Sequence, residues 1–145
     1  MGFFSGLKAS KPTFNVQRAV MTIVVAAVKA DGKVSADEIT RLRSICARSP
    51  IFAANAKEED DAVIGWADNV TTHLKAEAIS AAAAALKPEL RETAFSFACE
   101  IVLADGIAGD DEEKFISMLG KELGITEQLG SAIVQTTIIR MRGAE

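Results

Sequence analysis

Lys29-Ala30-Asp31-Gly32-Lys33-Val34-Ser35-Ala36-Asp37-Glu38 and Leu103-Ala104-Asp105-Gly106-Ile107-Ala108-Gly109-Asp110-Asp111-Glu112 are two copies of one pattern. The offset is a constant 74 residues, from Asp31 to Asp105 and again from Glu38 to Glu112. Ala, Asp, Gly, the later Asp and the Glu coincide. So do apolar positions on either side: Val28 with Val102, Leu42 with Ile116, and Ile45 with Leu119. Each copy reads as an apolar helix, a sharp Asp-Gly corner and an amphipathic helix. Glycine suits the corner because it enters positive φ without a side-chain clash. A unit repeated at a fixed offset is the strongest fold signal in this chain. It predicts an all-α domain in which two helix-corner-helix hairpins are related by a pseudo-two-fold.

Working outward, the spacing predicts about seven helices. From Thr13 to about Ala30, Val16, Val20, Ile23, Val24 and Ala27 recur at helical spacing, while Met21, Val25 and Val28 fill the other side. That helix is predicted to be central. Ser35-Ala36-Asp37-Glu38 is a capping box that opens the second helix, with Ile39, Leu42, Ile45 and Cys46 inward. Pro50 stops it, and residues 51–56 read as a loop. Glu58 to Asp61 suit the first turn of a third helix, where carboxylates meet the positive end of the dipole. Val63, Ala67, Val70 and Leu74 mark its inner face. Lys75 to Leu86 is rich in alanine and predicts a fourth helix. Pro88 opens a fifth, with Leu90, Ala94, Phe97, Ala98 and Ile101 inward. Asp110 to Glu113 open a sixth, with Phe115, Leu119 and Leu123 inward. Gly124 ends it, and Thr126 caps a seventh that runs to about Arg142. No segment alternates as a strand does. Residues 1–12 form an N-terminal arm, and 13–145 form a single helical domain with repeats at about 13–49 and 87–123.

Composition narrows the chemistry. The chain has 145 residues, with 20 Asp and Glu against 16 Lys and Arg, a net charge of −4. Nucleic-acid binding is disfavoured, because its main attraction is cationic. His73, Cys46 and Cys99 are the only histidine and cysteines and are far apart in sequence, which disfavours a zinc site and a disulfide scaffold. No apolar stretch reaches the ~20 residues that a membrane-spanning helix needs. The start, Met1 to Lys11, lacks the basic region of a secretory signal, and Gly6 stands where a myristoylation motif needs a hydroxyl. Phe3, Phe4 and Leu7 with Lys8 and Lys11 read as a short arm that packs on its own domain, or as a contact to a membrane or protein.

Carboxylate is the plentiful ligand, and a hard cation is what carboxylates hold. Asp37, Glu38, Asp111 and Glu112 lie in helix first turns, where capping explains them. Asp31 and Asp105 lie at helix C-terminal ends, where a negative charge is disfavoured. One reading is an Asx-turn. The other is a divalent cation held by helix-end carbonyls, the Asp and the Glu seven residues on. An EF-hand is rejected, because its first two ligand positions would fall on Ala27 and Lys29, and on Ile101 and Leu103. An ion here is therefore bound weakly, or takes ligands from elsewhere. No nucleophile-base pair, phosphate loop or organic-cofactor motif is present.

The paired motifs, Ala30-Asp31-Gly32-Lys33-Val34-Ser35-Ala36-Asp37-Glu38 and Ala104-Asp105-Gly106 with Asp110-Asp111-Glu112-Glu113, resemble the tellurite-resistance protein B (TerB) family. The likeness extends to Gly2-Phe3-Phe4, Arg48-Ser49 and the stretch from Leu119-Gly120 to Leu123-Gly124. The resemblance implies an all-helical bacterial protein of tellurite resistance and stress response with no established catalytic activity. It implies a cytoplasmic location, in part peripheral at the inner membrane. It also implies protein partners, namely the family's membrane protein (TerC) and a calcium-binding protein (TerD). The acidic positions proposed to bind metal in the family fall here on Asp31, Asp37, Glu38, Asp105, Asp111 and Glu112, with Ca or Mg as the ion. One departure is Gly109 in the second copy, where the first has Ser35.

Other residues carry weaker signals. His73 reads as a polar cap at a helix end. Cys46 and Cys99 offer the one alternative chemistry: an enzyme acting on an oxyanion by thiol reduction, or by carboxylate-assisted hydrolysis. The thiol version requires exposed thiols of low pKa. Glu100 interrupts an apolar helix where the first copy has Ala26, as either a solvent-facing residue or a buried pairing acid. Lys57 to Asp61 read as a solvated helix start, with an acidic partner patch as the minority reading.

Overall fold

A computed structural model describes residues 12–30, 32 and 35–143. Among the described residues seven α-helices follow one another: α1 (Val16–Ala30), α2 (Ala36–Arg48), α3 (Lys57–Leu74), α4 (Glu77–Ala84), α5 (Pro88–Val102), α6 (Asp110–Glu122) and α7 (Glu127–Arg140). Among the described residues there is no strand. The all-α class and the helix number agree with the sequence pattern.

Helix α1 is the centre because it is apolar all round. Val20, Met21, Ile23, Val24, Val25 and Ala27 are fully buried. Such a helix must be covered on every side. α5, α3 and α4 do this, and α5 in turn carries α6 and α7. The apolar helices of the two sequence copies, α1 and α5, thus pack against each other.

Local chemistry sets the helix ends. Ser35 caps α2, its hydroxyl accepting from the Glu38 N–H at 3.4 Å. Glu59 reaches back to accept from the Ala56 N–H at the start of α3. Pro88 occupies the first turn of α5, where its missing N–H costs nothing. Gly32, Gly106 and Gly124 have φ of 148°, 77° and 69°. Lys75, between α3 and α4, has φ 53° without being glycine.

The structure moves several expectations. Pro50–Phe52 is a turn of 3-10 helix, not loop, because Phe52 is drawn into the core and is 1% exposed. In α3, Ala67 and Val70 are buried as expected, with Ile64 and Thr71 beside them, while Val63 and Leu74 are only half-buried. In α5 and α6, Ala94, Ala98, Ile101 and Leu119 are buried as expected; Phe95 and Ile116 are buried too, while Phe97 and Phe115 are only half-buried. The expected faces hold, and the differences lie at their edges. The arm's Phe3, Phe4, Leu7, Lys8 and Lys11 lie outside the described residues.

Candidate functional site

The two Asp-Gly corners are built differently. α1 ends in Lys29, whose ammonium bonds the Asp68 carbonyl and the Thr71 and Thr72 hydroxyls at 2.8–2.9 Å, and pairs with the Asp68 carboxylate at 2.8 Å. This stitches the end of α1 to the end of α3. α5 leads instead into Leu103, which is fully buried. The Gly32 N–H bonds the Lys29 carbonyl at 3.2 Å, and the Gly106 N–H bonds the Leu103 carbonyl at 2.9 Å.

The acids at these corners also differ. Asp31 lies outside the described residues, as do Lys33 and Val34. Asp37 is exposed in the first turn of α2. Glu38 is half-buried, and its Oε2 is buried with no hydrogen-bond partner among the described residues. A buried carboxylate oxygen without a donor is costly. At the second corner, Asp105 Oδ1 accepts from the Ile107 N–H at 3.0 Å, which is an Asx-turn. Glu112 Oε1 accepts from the Gly109 N–H at 3.0 Å, and so caps α6 from within. Asp111 is exposed. Among the described residues, no three His, Cys, Asp or Glu side chains gather as a metal site would require.

The corners also emerge from different parts of the fold. Gln17, in the first turn of α1, bonds the Ile51 carbonyl, and Arg48 just before it grips Glu100 near the end of α5. The end of α5 therefore lies towards the start of α1. Lys29 stands in the last turn of that 15-residue helix, about 20 Å along from its first residue.

Thiol chemistry finds no geometry here. Cys46 is 1% exposed and Cys99 is fully buried. Burial, and then the nearby charges of Asp60 and Asp61, push the Cys46 thiol up to about 12; burial alone does the same for Cys99. Both thiols stay protonated and inaccessible near neutral pH, the reverse of a reactive cysteine.

Other singled-out residues have structural employment. The exposed His73 Nδ1 lies 2.8 Å from the Asn69 carbonyl oxygen, within its own helix. Asp60 accepts from Asn55, and Asp61 holds Arg43 through two bonds of 2.8 and 3.1 Å. Arg43 keeps the Asp61 carboxyl below the usual carboxylate range. Glu100 is a pairing acid: its side chain is 16% exposed, with Arg48 at 2.6 Å and Arg140 at 3.7 Å. Sequence reasoning missed Arg48 and Arg140 as its partners. The only signal was that an acid in an apolar helix needs cations nearby.

The family described as "Tellurite resistance protein TerB" matches residues 17–133, from the first turn of α1 to the middle of α7. No curated protein and no solved structure matches the chain. Both Asp-Gly corners and both hairpins lie inside the matched region, and on that match the chain belongs to the tellurite resistance protein TerB family.

Proposed function

We propose that this protein is a non-catalytic module of a tellurite-resistance and stress-response system that binds a divalent cation at its acidic corners and docks protein partners. The observation that carries the cation is Glu38 Oε2, a buried carboxylate oxygen with no hydrogen-bond partner among the described residues, in the helix that follows the first Asp-Gly corner. A hard cation satisfies such an oxygen where no N–H is available. Asp31, Asp37 and Glu38 form the stronger candidate set. Asp105, Asp111 and Glu112 form the weaker one, because backbone N–H groups already engage Asp105 and Glu112. The ion is Ca²⁺ or Mg²⁺, weakly held, and it supplies charge neutralisation and a rigid corner.

Membership in the family supports a role in tellurite resistance. A cytoplasmic location, peripheral at the inner membrane, and partners drawn from the same system accompany this reading. No helix among the described residues is long and apolar enough to cross a membrane. The oxyanion-enzyme alternative is the poorer reading, since both thiols are buried with pKa values of about 12.

The test is calorimetric titration with Ca²⁺ and with Mg²⁺, together with thermal melts at millimolar ion. Binding and a rise in Tm are expected, both lost in Asp31→Asn/Asp105→Asn and reduced in Glu38→Gln. If wild type shows no heat of binding and melts like the double variant, the cation reading is wrong.

A further inference from the structure

We propose that α7 is a hinged lid, clasped near its C-terminal end by Glu100, that opens as a unit while the α1-centred core stays folded. Three independent features of the fold carry this.

The first is how little holds α7 down. Of its 14 residues only Thr137 is buried, against nine buried residues in α1. The Thr137 hydroxyl bonds the Ile133 carbonyl of its own helix, so it ties α7 to nothing else. Ile133, Val134 and Ile138 are half-buried, and Ile139 is 58% exposed. Buried apolar area is the main cohesive term in a helical domain, and α7 contributes little of it. Its main packing partner is α5, and it is not among the helices that cover α1.

The second is the space beneath it. A groove of about 740 Å³, partly open to solvent, runs between α6 and α7; Phe95, Ile116, Val134 and Ile138 form its apolar wall, and Glu113 and Lys121 are among its polar residues. The seam between the two helices is therefore not closed by packing along its whole length.

The third is the arrangement of hinge and clasp. At one end Gly124, with φ 69°, and the Thr126 cap join α7 to α6. A Cβ at Gly124 would meet nothing within 4 Å, so the turn is open on its outer side. At the other end Arg140 lies 3.7 Å from Glu100 Oε1, while Arg48 holds Oε2 of the same carboxylate. Met141, just beyond, sets its carbonyl against Gly106 of the second corner. One carboxylate thus joins the C-terminal end of α7 to α5 and α2. Arg140 lies beyond the region matched by the family.

Helices held by few apolar contacts open below the global unfolding free energy. Native-state hydrogen exchange on the full chain, followed by NMR at low urea, tests this. The amides of residues 133–138 are expected to exchange at least about tenfold faster than those of 20–25, with a shallower dependence on urea. Glu100→Gln is expected to speed α7 exchange by about tenfold and leave α1 unchanged, since it weakens charge-assisted bonds. Arg140→Gln spares the Arg48–Glu100 pair and is expected to act in the same direction by a smaller factor. Equal protection and urea dependence in α7 and α1 would overturn the lid. So would acceleration of both helices alike, or no response of α7 to either variant.

Discussion

The first corner keeps one half of a capping box and the second keeps the other. The Ser35 hydroxyl oxygen accepts from the Glu38 N–H at 3.4 Å, and Glu38 leaves an oxygen buried without a partner among the described residues. Gly109 has no hydroxyl to give, and Glu112 reaches back to the Gly109 N–H at 3.0 Å instead. The approach helices differ in the same way. α1 ends in an ammonium tied to α3, and α5 leads into a buried leucine. One sequence pattern has therefore been built into two physical objects. The second corner is internally satisfied and closed. The first retains an unsatisfied oxygen, which marks it as the corner with chemistry to spare.

The largest test of that contrast is at the approach helices. Leu103→Ala empties a fully buried site and is expected to cost about 2–5 kcal/mol. Lys29→Met removes a partly exposed tether and is expected to cost about 1 kcal/mol, because water competes for its partners. Urea unfolding of both variants checks the order. Comparable losses would mean that Lys29 holds its corner as firmly as the leucine does.

The glycines come next. A Cβ at Gly106 would lie 3.1 Å from the Met141 carbonyl oxygen, in addition to the strain of φ 77°. Gly106→Ala is expected to lower stability by about 1–3 kcal/mol. Gly32 has φ 148° with nothing within 4 Å of a new Cβ. Gly32→Ala therefore bears backbone strain without a steric clash and is expected to cost less. Thermal melts of the pair that fall together would erase the packing difference between the corners.

The smallest effect concerns the paired glutamates. Glu112→Ala removes the bond to the Gly109 N–H and is expected to cost about 1 kcal/mol. Glu38→Ala without added cation is expected to be closer to neutral, since the oxygen it removes at Oε2 has no partner to lose. Equal destabilisation by the two would show that Glu38 caps α2 as Glu112 caps α6.

Much of the fold was legible because helix signals are local. Ser35, Pro88 and Thr126 act on the residues beside them, and each stands at the start of a helix as expected. Facing was less legible. Ala67, Ala94, Ala98 and Leu119 are buried as their spacing predicts, but Ile64, Phe95 and Ile116 are buried where Val63, Phe97 and Phe115 are only half-buried, because the neighbours decide which flank of a helix is covered and no single helix encodes that. Asp105 illustrates the limit at the site itself. Its position in the sequence left both cation ligand and Asx-turn open, and the turn bond to Ile107 appears only once the backbone is placed.

By itself, the sequence determined the helical class, the two hairpins and their shared family, since spacing, caps and glycine corners act within a few residues. Only the tertiary structure decided what the side chains do at long range. It buried both thiols, paired Glu100 with Arg48 and Arg140, and left a groove between α6 and α7. Those outcomes depend on which surfaces meet after the chain has packed, and burial and charge pairing are properties of that meeting.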